Sequence, residues 1–376
     1  MNNESKLVKG PAQGDSNLEQ TINTIEQQAE RAELAIPWHQ KHDPALSTPA
    51  ASINDAEDDQ DGLDEAIDDQ QGTPAAANPK ESKAELIIGL AKGFATFFHT
   101  PDGDVYASIT VNNHIENVRV RGKDFKQWLG MLYFRESGRS PGTQPVKDAM
   151  ETLEAGGKYD GPEIPMHIRY AEYEGSIYID LCNGSWDQVQ ATKDGWKVIG
   201  SKDSPVKFYR AQGMAALPIP SREGSMDLLR QFLNIENGSD WVMIVSWLIT
   251  SMRPDRPFTV LVLQGEQGTA KSTTARLLRD LIDPSTVLSQ SVPKSERDLV
   301  IAASRSWVLN FDNLSYLSPA MSDALCRLST GGGFRTRALY TDDGERLFSS
   351  IRPIIMNGIS DFATRQLIHH SDRGVQ

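Results

Sequence analysis

Three groups of residues in the second half of the chain have the types and spacing that phosphate chemistry requires. The first is Gly265-Glu266-Gln267-Gly268-Thr269-Ala270-Lys271-Ser272-Thr273. Its glycines let the backbone curl so that N–H groups point inward at phosphate oxygens. Lys271 stands at the offset that reaches β- and γ-phosphates, and the Ser272 hydroxyl is suited to Mg²⁺. These nine residues form the candidate nucleotide-binding set. An ordinary strand-to-helix turn does not explain a lysine at a helix start, where the dipole disfavours a cation unless an anion is near. Ala270 departs from the G-x-x-x-x-G-K-[ST] pattern by replacing its second glycine. An alanine is expected to exclude positive φ there and to alter the loop slightly without disabling it.

The second group closes the apolar run Trp307-Val308-Leu309-Asn310-Phe311-Asp312-Asn313, about forty positions further on. An acid at such a strand end can sit beside the loop and hold Mg²⁺, directly or through water. Alone, a strand-end aspartate is more often a turn or helix cap; the loop upstream is what favours the metal role. Asn313 occupies the place of a usual second acid. The base that activates water is therefore open among Asp312, Asp323 and Glu345. The third group closes Arg352-Pro353-Ile354-Ile355-Met356-Asn357-Gly358. Asn357 could orient the attacking water or contact the γ-phosphate; the plainer alternative is a turn residue before Gly358. Lys271, Asp312 and Asn357 are thus the catalytic candidates, and Ser272 and Asp312 the metal ligands.

Between the last two groups, Gly331-Gly332-Gly333 precedes Phe334-Arg335-Thr336-Arg337, with Tyr340 close by. Arg335 and Arg337 would project from one side of a strand. Such a basic hairpin suits nucleic-acid phosphates, or one arginine could reach the nucleotide of a neighbouring subunit.

These residues need rigid elements. Val260–Leu263 reads as the strand that fixes the loop, and Ser272–Leu281 as the helix that follows it. Met226–Leu233 and Asp240–Thr250 read as helices ahead of that strand. Strand and helix then alternate, which predicts a parallel sheet covered on both faces. Ligands of such sheets bind outside the carboxyl ends of the strands, where Asp312 and Asn357 fall.

Residues 83–218 have another pattern. Leu86–Phe98 reads as helix, and Val105–Val111 and Asn117–Val120 as strands. Asp124–Phe134 reads as a helix with Phe125, Trp128, Leu129 and Leu132 on one face. Gln144–Ala155 reads as a helix closed by Gly156 and Gly157. Met166–Tyr173 and Ser176–Leu181 read as a hairpin, and Trp196–Ile199 and Val206–Arg210 as further strands. The region is a small α+β domain without a catalytic constellation. Arg119, Arg121, Lys123 and Lys126 beside Phe125 and Trp128 could track a phosphate backbone and stack a base; equally, the aromatics belong to the core and the cations to solvent.

Residues 1–82 carry 17 acidic and 5 basic side chains, against 51 and 38 in the whole chain of net charge −13. The remaining 34 acidic and 33 basic residues nearly cancel, so the acidic balance does not exclude a nucleic-acid partner. The segment is rich in Gln, Asn, Ala, Asp and Pro and lacks the apolar residues to offset chain entropy, so a disordered acidic tail is predicted. Cys182 and Cys326 are the two cysteines; they form no metal-ligand pair and read as reduced thiols of a cytoplasmic protein. No apolar run nears the ~18 residues that cross a membrane, and the N-terminus lacks a secretory pattern.

Together, Gly-Glu-Gln-Gly-Thr-Ala-Lys-Ser-Thr, Phe-Asp-Asn-Leu-Ser, Ser-Asp-Ala-Leu-Cys-Arg-Leu-Ser-Thr-Gly-Gly-Gly-Phe, Arg-Ala-Leu-Tyr-Thr-Asp-Asp and Arg-Pro-Ile-Ile-Met-Asn-Gly-Ile resemble the P-loop ATPases of bacterial prophages and integrative elements. These are similar to superfamily-three helicases of the AAA+ class that accompany phage-type primases. The resemblance spans residues 84 to about 365 and is strongest over 258–362. It implies an α/β fold: an AAA+-like P-loop core with a mainly parallel sheet over 219–376, preceded by the α+β domain and the acidic tail.

The resemblance also implies ATP with Mg²⁺ and a helicase-like role in DNA replication on single-stranded or forked DNA. It implies a homo-oligomeric ring and primase or other replication partners. The Arg335–Arg337 hairpin resembles the DNA-contacting element of the central pore. That family tolerates Ala and Asn at the positions of Ala270 and Asn313. Relatives continue beyond an Asp-Arg-Ala stretch that Asp372-Arg373-Gly374 matches in part, so the ATPase domain is expected to be incomplete at its C-terminus. Arg365 and Arg373 are the candidates for an arginine acting on a neighbour's ATP. The alternative is a nucleotide-binding assembly or loading factor that does not hydrolyse. A small-molecule kinase is disfavoured for want of a lid or acceptor site.

Overall fold

The computed structural model describes residues 82–235, 237–254, 256–337, 345–348 and 350–358. The acidic segment read as a tail, Ser82 apart, lies outside the described residues, as do Arg365 and Arg373. The chain divides into two units, Met1–Thr73 and Pro74–Gln376, and the described residues all belong to the second.

Helix α1 (Lys83–Phe94) starts in a capping box: Ser82 Oγ accepts from the Glu85 backbone, and the Glu85 carboxylate accepts from the Ser82 backbone. The sequence predicts this helix as far as Phe98. The chain instead leaves it at Phe94 and continues as β1 (Ala95–His99), antiparallel to β2 (Val105–Val111). Thr96, Phe97 and Phe98 favour a pleated, half-buried surface over a helix, and buried Phe98 stacks on Tyr106. Strand β3 (His114–Arg119) follows through Asn112 and Asn113, both at positive φ as a tight hairpin requires.

Helix α2 (Lys123–Ser137) and helix α3 (Thr143–Tyr159) cover this sheet. Phe125, Trp128, Leu129 and Leu132 are all buried, while Arg119 pairs with Asp104 and Arg121 with Glu154. The aromatics therefore belong to the core, and no base-stacking platform forms there. Gly156 and Gly157 do not close α3, which runs through them. A Cβ at Gly157 would lie 2.5 Å from Val105 Cγ1, so this glycine serves close helix–sheet approach rather than termination.

The next strands are β4 (Met166–His167), β5 (Tyr170–Tyr173), β6 (Ser176–Asp180), β7 (Gln188–Thr192), β8 (Gly195–Ile199) and β9 (Lys207–Phe208). Strands β5 to β8 form an antiparallel meander, whereas β4 pairs in parallel with β9. Arg169, at φ +60°, interrupts the single strand predicted over 166–173.

The last part comprises α4 (Met226–Arg230), α5 (Gly238–Ser251), β10 (Leu261–Gln264), α6 (Lys271–Ile282), α7 (Glu296–Ala303), β11 (Leu309–Leu314), α8 (Pro319–Thr330), β12 (Phe334–Arg337), β13 (Glu345–Phe348) and β14 (Ile354–Gly358). Strands β10, β14 and β11 make a parallel sheet with the last strand in the middle. Leu309, Phe311, Ile354 and Met356 pack with α7 and α8 on one face. Val308 and Ile355 pack with α5 and α6 on the other, joined by Ile168 and Tyr170 from the preceding region.

That shared core crosses the division expected near residue 218. At its edge Arg169, fully buried, donates from Nε to Asp283 Oδ1 at 2.9 Å. Its Nη atoms donate to the carbonyls of Asp180, Ala215 and Pro284. Asp283 Oδ2 accepts from the backbones of Trp307 and Val308. The guanidinium thus makes four hydrogen bonds and the carboxylate three, the kind of additional bonding under which a buried pair persists. The described residues form an α/β fold with parallel and antiparallel sheets.

Candidate functional site

Strand β10 delivers Gly265–Ala270 as a loop, and α6 begins at Lys271. A Cβ at Gly265 would meet Thr269 Oγ1 at 2.9 Å, and Gly268 sits at φ +88°. Thr269 Oγ1 donates to Glu266 O at 2.9 Å and ties the curl shut. Ala270 is at φ +62° and ψ +19°. The expectation that alanine excludes positive φ here is therefore corrected. The turn into α6 requires a left-handed residue, and Ala270 adopts it at a strain of about 1–2 kcal/mol. The Thr274 N–H still donates to Ala270 O at 2.9 Å, so the helix starts normally.

Lys271 Nζ lies over the loop. It donates to Gly265 O at 2.8 Å, Glu266 O at 2.6 Å and Thr269 Oγ1 at 3.3 Å. Lys271, Ser272 and Thr273 form the first turn of α6, whose unshared N–H groups face the same loop. The side chains of Glu266 and Gln267 are exposed, so these two positions would contribute backbone rather than side-chain contacts.

Asp312 meets this loop. Ser272 Oγ donates to Asp312 Oδ1 at 2.9 Å, and Ser289 Oγ to Asp312 Oδ2 at 3.3 Å. The register of β11 against β14 shifts between Phe311 and Leu314, and Asn313 lies at φ +59°. A bulge of this kind re-aims side chains at a strand end. Asn313 N donates to Asn357 Oδ1 at 3.0 Å. Asn357 is buried, and its Nδ2 has no partner among the described residues. An unmet buried donor costs about 1–3 kcal/mol.

The structure thus brings together Gly265–Thr273, Asp312, Asn313 and Asn357. Arg335 and Arg337 lie on the separate two-stranded β12–β13 sheet, opposite Leu347 and Glu345. Asp323 is exposed on α8, and Tyr340 is outside the described residues.

Ser289, Gln290, Asn310 and Arg279 are contributors that the sequence did not single out. Gln290 N donates to Asn310 O at 3.1 Å, and Asp312 N to Gln290 O at 3.0 Å. Residues 289–290 therefore run as an extra parallel edge beside β11. Val287-Leu288-Ser289-Gln290-Ser291-Val292 has no apolar/polar alternation, so no local pattern marks this edge in the sequence.

Residues 226–369 match the actinomycete integrative conjugative element replication protein family. The match covers less than half of the 376-residue chain. It fits a replication protein of a mobile element. No curated protein matches significantly. Among solved structures, the A-form apo NrS-1 C-terminal region (residues 305–718) aligns at 13% identity and a TM-score of 0.36, covering 75% of this chain and 57% of that one. A second apo structure of that region aligns at 12% identity and a TM-score of 0.36, covering 78% of this chain and 67% of that one. This chain therefore spans little more than half of the first of these, and superpositions this loose carry no argument about fold or activity.

The donor set is compatible with a hard cation. One carboxylate and one hydroxyl beside a phosphate loop are what a Mg²⁺ site shared with nucleotide phosphates needs from a protein. Among the described residues no group of three or more His, Cys, Asp and Glu is placed to hold a metal by itself. Among them, too, no helix is long and apolar enough to cross a membrane. Cys182 is half-buried and Cys326 buried, both free, and burial raises both thiol pKa values.

Proposed function

We propose that this chain binds ATP with Mg²⁺ and hydrolyses it as a helicase-like motor in the DNA replication of a phage or mobile element. The observation that carries the reading is the meeting of Ser272 with Asp312 beneath the loop that Lys271 spans. A loop serving only as a turn has no need of a hydroxyl–carboxylate pair drawn from two elements.

Lys271 and the loop N–H groups hold the β- and γ-phosphates. Ser272 and Asp312 are the side chains that would hold Mg²⁺. Bound there, Mg²⁺ neutralises charge that develops on the phosphates during transfer. Asn357 uses its free Nδ2 to orient the γ-phosphate or the attacking water, while its Oδ1 stays on Asn313. The replication role rests on the family match over 226–369. Single-stranded or forked DNA is the substrate, contacted by Arg335 and Arg337 of the β12–β13 hairpin. Copies assemble as a ring in which a neighbour's arginine, Arg365 or Arg373, completes the site, and a primase is the natural partner. ATP turnover measured with and without single-stranded DNA tests the reading. Turnover that rises with DNA and vanishes in Lys271→Ala supports it; binding without turnover in either condition defeats the motor.

A second reading, a nucleotide-bound assembly or loading factor, is favoured by one observation. Asn313 stands where a second acid would help activate water, and its backbone is engaged by Asn357. ATP-dependent change in assembly state without hydrolysis identifies this alternative.

A further inference from the structure

Asp312 is held from two sides, and the second side is built at some expense. Ser289 belongs to a short segment outside the three-stranded sheet, yet buried side chains pin that segment. Arg279, on the helix that the loop opens, is 4% exposed and directs Nη1 at the carbonyls of Val287 and Leu288. Asn310 Nδ2, on the strand of Asp312, donates to Leu288 O at 3.0 Å. The backbone bonds of Gln290 with Asn310 and Asp312 then fix the residue after Ser289. A guanidinium buried against carbonyls specifies where residues 287–290 run far more tightly than an edge ladder alone.

The result is a hydroxyl on each carboxylate oxygen: Ser272 on Oδ1 and Ser289 on Oδ2. Two donors on two oxygens set the carboxylate plane. The Ser272 hydroxyl can keep its proton on Oδ1 while a lone pair faces a cation, and among the described residues Ser289 is the side chain that then orients the far oxygen.

We infer that Ser289 is a positioning residue that aims Asp312 at the divalent cation shared with the nucleotide. This rests on the proposed phosphate-loop reading. Partners that orient a metal ligand typically change metal affinity about 10- to 100-fold when removed.

The test uses the full chain and a fluorescent ATP analogue, titrated in EDTA and across a Mg²⁺ series. In Ser289→Ala the Mg²⁺ concentration for half-maximal tightening rises about tenfold or more, while affinity in EDTA is unchanged. Ser289→Thr, which retains the hydroxyl, restores the wild-type Mg²⁺ dependence. A wild-type Mg²⁺ dependence in Ser289→Ala, or an equal loss of affinity in EDTA, overturns the inference and leaves the phosphate-loop reading standing. Wild-type protein that binds no nucleotide contradicts that reading, and this inference with it.

Discussion

Ser272, in the first turn of α6, donates its hydroxyl hydrogen to Asp312 at the end of β11, 2.9 Å away and 40 residues on in the chain. Neither residue needs the other for packing: Ser272 is half-buried at a helix start, and Asp312 half-buried at a strand end. Under the proposed function the pairing supplies two oxygen ligands on one side of the Gly265–Ala270 loop. Asp312→Asn should leave nucleotide binding in EDTA intact and lower Mg²⁺-dependent turnover about a hundredfold or more, the range for removing one group aimed at developing charge. Parallel binding and turnover assays on the variant check this. Full turnover in the variant would remove Asp312 from the chemistry.

Ala270 holds a left-handed conformation that a glycine adopts freely. Ala270→Gly should therefore stabilise the fold by about 1 kcal/mol and leave nucleotide affinity within about twofold. Urea denaturation of the two proteins measures it. A loss of stability would mean that the methyl group packs usefully.

The buried pair of Arg169 and Asp283 joins the meander to the C-terminal end of the same helix that Lys271 opens. Arg169→Met strands a buried carboxylate and should cost about 3–5 kcal/mol. Arg169→Met with Asp283→Leu should lose less than the two single changes summed. Denaturation of all four proteins gives the coupling; strict additivity would show the pair to be incidental.

The loop and the two strand-end residues were legible in the sequence because each is a local pattern: glycines before Lys-Ser, and polar residues closing apolar runs. The order of elements around them followed from the same runs. What escaped is non-local. Ser289 matters only because Arg279 and Asn310 lay its segment beside β11, and spacing alone does not encode that neighbour. Gly157 was misread because a glycine that admits a neighbouring strand looks, in sequence, like one that ends a helix. Phe97 and Phe98 were read into α1 because a short apolar run fits either period. The conformation of Ala270 was missed because the loop overrides the residue's own preference.

On the DNA side, Arg335 and Arg337 occupy alternate positions of β12. Replacing both with alanine should weaken single-stranded DNA binding and flatten its log–log salt dependence by about 1 to 2, as expected for two lost phosphate contacts. Binding isotherms at several salt concentrations decide; an unchanged slope would place the DNA contact elsewhere.

The central claim is that Gly265–Thr273 is a working nucleotide site. Equilibrium binding of ATP with Mg²⁺ to the wild-type chain and to Lys271→Ala tests it most directly. Saturable binding by the wild type, weakened at least about tenfold, or 1.4 kcal/mol, in the variant, is the predicted result. Equal binding by both proteins, or binding by neither, would contradict it.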